Sequence, residues 1–160
     1  MEKEHTYHVR TEWTGNDGNG TADVKRYNRS HTVFNAGKPN LFLTTDNAAV
    51  GEKHKLNPED LLVSALSSCH MLSYLYLCSL EGIVVHHYTD NVTGRMIENT
   101  EGGGKFKEVL LHPQVVVASA NMVERAIQLH HKAHAICYIA NSVNFTVSTH
   151  PTITVLVAPH

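Results

Sequence analysis

The sequence predicts an α+β domain of order βββ-α-ββ-α-β, with antiparallel sheet packed on two helices. Three observations predict it. Segments rich in β-branched and aromatic residues are separated by Gly/Asn turns at 15–20, 37–40 and 101–104; a long apolar segment opens on Asn57-Pro58-Glu59-Asp60; and a histidine-rich helical segment precedes the last strands. With 160 residues, 42% hydrophobic and 18% charged, the chain can build one core, and residues 1–160 are read as a single domain.

The first strands are expected in YHVRTEW, TADVKRYNRSHTVF and LFLTT, joined by the turns at 15–20 and 37–40. After a polar loop, Asn57 is a capping residue, Pro58 suits the first helical position and two acids favour the positive first turn. This first helix should run to about Leu80, with Gly82 as its stop. Leu62, Ala65, Leu66, Cys69, Leu72 and Tyr76 share one face, read as the most buried, while Leu61, Met71, Leu75 and Leu77 make other faces apolar too. Two strands follow, near 84–98 and 105–118. A second helix starts near Ser119 or Asn121, carries Val123, Ala126, Ile127, His130 and His134 on one stripe, and reaches about Cys137, before a final strand or two.

Charge narrows the function. Thirteen Lys+Arg against fifteen Asp+Glu leave a formal net charge of −2, no footprint for nucleic acid or an anionic membrane, so a small molecule or another protein is the expected partner. The N-terminus has acids where a signal peptide needs a basic start, and the most apolar stretch, 61–80, is interrupted by serines and His70, so a soluble cytoplasmic protein is expected. Three cysteines do not make a secreted disulfide framework. Metal ligation or thiol chemistry in a reducing compartment is left open.

Helix geometry separates the cysteines. Cys78 lies roughly 180° around and about 13.5 Å along the helix from Cys69, beyond the ~7 Å Cα limit for a disulfide, so it reads as core and any dithiol would join Cys69 to Cys137. Cys69 itself has an equally plain reading as a small core hydrophobe. His130, His134 and Cys137, at i, i+4 and i+7, fall within about 40° on one face and have the spacing of zinc ligands; the alternatives are a hydrogen-bonded polar patch or a part in thiol chemistry.

The run from Asn57 to His70, NPEDLLVSALSSCH, and the later AHAICYIANS around Cys137 resemble the two cysteine motifs of the OsmC/Ohr family, osmotically inducible protein C and organic hydroperoxide resistance protein. The order of elements is similar over nearly the whole chain. The resemblance implies a swapped homodimer with both cysteine helices at its centre, acting as a thiol-dependent peroxidase on organic hydroperoxides. It implies Cys69 as the peroxidatic and Cys137 as the resolving cysteine, with Glu59 organising the site and an arginine beside the thiolate. Arg29 is the first candidate for that arginine, followed by Arg26 and Arg10. No cofactor is needed; the reductant implied is an external dithiol such as a lipoylated protein. The runner-up is a metal- or small-ligand-binding protein of the same fold without peroxidase activity.

The chemistry explains the residue types. A cysteine of pKa about 8.5 is only ~3% thiolate at pH 7, and a pKa near 6 gives ~90%. Nucleophilicity falls with pKa on a slope of about 0.4–0.5, which returns much of that gain, so orientation and charge stabilisation of the departing alkoxide must supply the rest. Cys69 lies about 18 Å past its helix cap, out of reach of the dipole, so a cation must be brought to it. His70 points about 100° away and is the weaker candidate for that task.

Overall fold

The computed structural model describes residues 3–157. Its elements are β1 (Arg10–Trp13), β2 (His31–Phe34), β3 (Leu41–Leu43), α1 (Pro58–Leu80), β4 (Val85–Asp90), β5 (Thr93–Glu98), β6 (Gly104–Leu111), β7 (Pro113–Val117), α2 (Val123–Ile136), β8 (Thr146–Thr149) and β9 (Thr152–Val155). They fall into two compact units that meet in sequence at Leu61/Leu62.

The first unit is an antiparallel meander, with Arg10 opposite Phe34 and His31 opposite Leu43. The long second strand expected from Thr21 is confined to residues 31–34. Between residues 23 and 27 the chain turns instead: the Asp23 carboxylate accepts from the Lys25 amide at 2.8 Å, and the Asp23 carbonyl accepts from the amides of Arg26 and Tyr27. A short acidic side chain offers the backbone a local alternative to a ladder. The start of α1 also lies in this unit and forms a reciprocal cap. Asn57 Oδ1 accepts from the Asp60 amide at 2.7 Å, and Asp60 Oδ2 accepts from the Asn57 amide at 3.2 Å.

In the second unit α1 ends as Gly82 predicts. Gly82 has φ 70°, the Ile83 amide donates to Cys78 O at 2.8 Å and the Gly82 amide to Ser79 O at 3.3 Å, the paired bonds of a Schellman stop. By length and composition, α1 is apolar enough to cross a bilayer. Its row Leu66, His70, Tyr74 and Cys78 is nevertheless buried inside the protein, against α2 and the sheets.

Each strand expected near 84–98 and 105–118 is in fact two. One sheet has the order β4-β7-β9 and the other β5-β6-β8. The breaks fall at 91–92 and at His112, where Asp90 holds both the chain and α1: its carboxylate accepts from the His112 amide and from Ser67 Oγ, each at 2.7 Å. The pairs β4–β7 and β5–β6 are antiparallel, but β8 and β9 add in parallel to β6 and β7, so both sheets are mixed. These two strands arrive after the α2 crossover, which is the connection parallel pairing requires. Gly94 on β5 lies where a Cβ would come within 2.7 Å of Val63 Cγ2 and 2.9 Å of the Phe106 ring, so its lack of a side chain lets β5 approach α1.

One core cluster joins Tyr74, Cys78, Val115, Val117, Ala126 and Leu129, and another joins Leu66, Val109 and Leu111. Each fully buried Val or Leu contributes roughly 1.5–3 kcal/mol.

Candidate functional site

The face expected to be most buried on α1 is not. Leu72 and Tyr76 are 61% and 59% exposed, and Cys69 beside them is half-buried. Because α1 is apolar on several sides, its periodicity could not choose the inward row. Packing against α2 and the sheets selects the row Leu66, His70, Tyr74 and Cys78, which shares only Leu66 with the expected face. Cys78 is core, as its distance from Cys69 along the helix predicts, and burial pushes its thiol pKa up.

Cys69 and Cys137 are brought together. Cys137 caps the C-terminus of α2, is fully buried, and lies within hydrogen-bonding reach of the Cys69 thiol. Burial first, and then the Cys69 thiol, push the Cys137 pKa up to about 11. The Ala140 amide donates to Cys137 Sγ at 3.5 Å, which holds the sulfur where the chain leaves the helix. Both cysteines are free thiols. One is reachable from solvent and the other is protonated and enclosed.

One residue on from Cys69, and about two turns before Cys137, lies a second pair that the linear pattern did not reveal. His70 Nε2 and His130 Nδ1 share a hydrogen bond of 2.9 Å, and both rings are almost fully buried. The rings are within 9° of parallel, and His130 stacks on Tyr74 with centroids 3.8 Å apart. Burial depresses both imidazoles, His70 to about 4 and His130 to about 3; Asp90 opposes the shift of His70, while His134 adds to it. Both are therefore neutral at pH 7. The sequence places His130 on a stripe with Val123, Ala126 and Ile127, but only its packing against α1 reveals its partner.

This arrangement separates the trio that helical spacing allowed as zinc ligands. His130 turns to His70 and Cys137 to Cys69, and among the described residues no group of three or more His, Cys, Asp or Glu side chains converges as metal ligands. Where α1 ends, Glu81 ties it to α2 through Arg125 (2.7 Å) and Lys132 (3.0 Å), and those cations hold its carboxyl down to about 2.

The remaining candidates lie in the first unit. Glu59 Oε2 is buried without a hydrogen-bond partner among the described residues. Arg29 donates to the carbonyls of Tyr27 and Val24, with its guanidinium 3.6 Å over the Tyr27 ring. Arg10 pairs with Glu12 and covers Phe34 at 4.0 Å, and Arg26 lines a polar pocket with Asp17 and Asp23.

Comparison with known proteins fits the two cysteine helices. The OsmC-like protein family model matches residues 51–151, a stretch that includes Cys69, Cys78 and Cys137. The chain belongs to the OsmC-like family. An OsmC-like protein of unknown function from Vibrio cholerae is 30% identical, with 93% of this chain and 100% of that one covered and a TM-score of 0.83. An organic hydroperoxide resistance protein OsmC from Legionella pneumophila is 19% identical over 96% of this chain and 99% of that one, with a TM-score of 0.69. Another such protein, from Elizabethkingia anophelis, is also 19% identical, over 98% of this chain and 100% of that one, with a TM-score of 0.69. At that identity these two speak for the shared α+β fold alone. No curated protein matches the sequence.

Proposed function

We propose that this OsmC-like protein is a thiol-dependent peroxidase that reduces organic hydroperoxides, working as a cytoplasmic homodimer in oxidative-stress defence. The observation that carries the reading is the asymmetry of the thiol pair: a half-buried Cys69 within reach of a fully buried Cys137 whose pKa is pushed up to about 11. A thiol held protonated is a poor first nucleophile, which leaves the more exposed Cys69 to meet the peroxide, and Cys137 gives up its proton as it attacks the sulfenic sulfur.

In the first step the Cys69 thiolate attacks the distal peroxide oxygen. The O–O bond breaks, Cys69 becomes a sulfenic acid and the alkoxide takes a proton to leave as an alcohol. In the second step Cys137 sulfur attacks the Cys69 sulfenic acid. The S–S bond forms and water leaves with the Cys137 proton and the sulfenic hydroxyl. An external dithiol, such as that of a lipoylated protein, then exchanges with the disulfide and restores both thiols.

A cation is still needed for the Cys69 thiolate and the departing alkoxide, and Arg29 is the proposed residue, giving up the carbonyls of Tyr27 and Val24 for Glu59 when it engages. The unpartnered buried Oε2 of Glu59 supports a role in gripping a guanidinium. The exposed Leu72, Tyr76 and Leu80 on α1 support both an alkyl substrate beside Cys69 and a homodimer contact along the helix.

Mixing the protein with an organic hydroperoxide and counting free thiols tests the proposal. Two thiols lost per chain are expected, with Cys78 left intact. Losing no more than a Cys69→Ser control loses would overturn it. Turnover with a lipoyl dithiol, compared with Arg29→Ala, tests the reductant and the arginine.

A further inference from the structure

The turn that follows α2 is braced around one of the two sulfurs. Cys137 Sγ accepts from two backbone amides, those of Ile139 and Ala140, the second at 3.5 Å. Each N–H is one end of a planar peptide unit whose other end is a carbonyl: Tyr138 O for the Ile139 amide and Ile139 O for the Ala140 amide. Ser142 holds both carbonyls. Its hydroxyl donates to Tyr138 O at 2.7 Å and its amide to Ile139 O at 3.0 Å. Asn141 ties the same turn to α2, donating from its side-chain amide to Ala135 O at 2.9 Å and from its backbone amide to Cys137 O at 3.0 Å. In a trans peptide the C=O and N–H point in opposite directions, so a group that pins the carbonyl aims the N–H.

We propose that Ser142 is a positioning residue that aims the Ile139 and Ala140 amides at Cys137 Sγ, so that Cys137 is the sulfur that departs as a thiolate when a Cys69–Cys137 disulfide is reduced. The place of this step in a catalytic cycle rests on the peroxidase reading above. A reductant thiolate attacks Cys69 Sγ, the half-buried member of the pair. The S–S bond breaks, its electron pair goes to the Cys137 sulfur, and a new disulfide joins Cys69 to the reductant. The second thiol of a dithiol then closes onto the reductant sulfur bound to Cys69 and expels the Cys69 thiolate, while Cys137 takes up a proton.

The enclosure of Cys137 makes such donors necessary. A thiolate formed in a buried site without partners is costly, and exchange is faster when the departing sulfur is better stabilised. Two amide N–H groups supply that stabilisation. Donation from the Ser142 hydroxyl to Tyr138 O also polarises that peptide and strengthens the hydrogen bond from its far end.

Protein oxidised with diamide, which forms the disulfide without any hydroperoxide, and then challenged with excess glutathione tests the assignment. After acid quenching, peptide mass mapping should place the glutathione adduct on Cys69. Ser142→Ala, which removes only an exposed hydroxyl, should slow formation of that adduct by about threefold, and Ser142→Thr, which restores the hydroxyl, should react at the unaltered rate. The sign separates this role from a structural brace, because a turn that is merely loosened exposes the disulfide and lets it be reduced faster. An adduct on Cys137, an unchanged or faster rate in Ser142→Ala, a Ser142→Thr variant as slow as Ser142→Ala, or the absence of a Cys69–Cys137 disulfide after diamide would each overturn the proposal. A protein that gives the expected rates and consumes no hydroperoxide would refute the peroxidase reading alone.

Discussion

Two pairs of side chains join α1 to α2, and neighbouring residues of α1 begin them: Cys69 meets Cys137, and His70 meets His130. The thiol pair keeps one member half-exposed, whereas the imidazole pair is sealed and stacked on Tyr74. One step of about 100° around a helix is enough to separate a site that can react from one that can only hold or relay. Thiols tolerate such a contact in either redox state. Neutral imidazoles tolerate burial only while they stay hydrogen-bonded and uncharged.

The largest effect should come from breaking the thiol pair. Cys69→Ser is expected to reduce hydroperoxide consumption at least about 100-fold, because a hydroxyl is not ionised at neutral pH. Cys137→Ser should still consume one equivalent of peroxide and then stall as a sulfenic acid, which a dimedone adduct on Cys69 detects by mass. Rapid turnover by Cys137→Ser with the lipoyl dithiol would show that resolution does not pass through Cys137.

Acid should break the imidazole pair instead. Both folded pKa values, about 4 and about 3, lie below the ordinary 6.5, so the unfolded chain takes up protons first as pH falls. Their contribution is therefore complete above pH 6.5 and is lost progressively as pH falls toward 4. At pH 5 the loss reaches up to about 2 kcal/mol for each imidazole. Urea unfolding at pH 7 and pH 5 measures it, and equal midpoints would contradict the buried, neutral pair. His70→Leu fills similar space but leaves His130 Nδ1 unpaired, and should cost about 2 kcal/mol at pH 7 while flattening that acid dependence. The smallest effect is expected at Gly82→Ala, which forces a side chain into φ 70° at the end of α1. It should lower stability by about 1 kcal/mol and leave both pairs, and hence hydroperoxide turnover, unchanged.

Local chemistry made much of this legible in advance. Asn57, Pro58 and Gly82 announce both ends of α1 because capping is decided by a few adjacent backbone groups. The Gly-rich turn at 101–104 announces the β5–β6 hairpin for the same reason. The breaks at 91–92 and His112 were hidden, since they depend on Asp90 reaching an amide 22 residues away. So was the orientation of α1: a helix apolar on several sides carries no single stripe, and the inward row is chosen by whatever packs against it.

The same division holds for the site. By itself the sequence determined two cysteine helices, the exclusion of a Cys69–Cys78 bond and the resemblance of both motifs to the OsmC-like family, because each rests on spacing along one element or on a contiguous motif. Only the tertiary structure decided that Cys137 is the enclosed thiol and that His130 belongs with His70 rather than with His134 and Cys137. Those are facts about burial and long-range contact. A linear pattern does not encode them, because the energy of burying a polar group depends on the neighbour that distant parts of the chain bring to it.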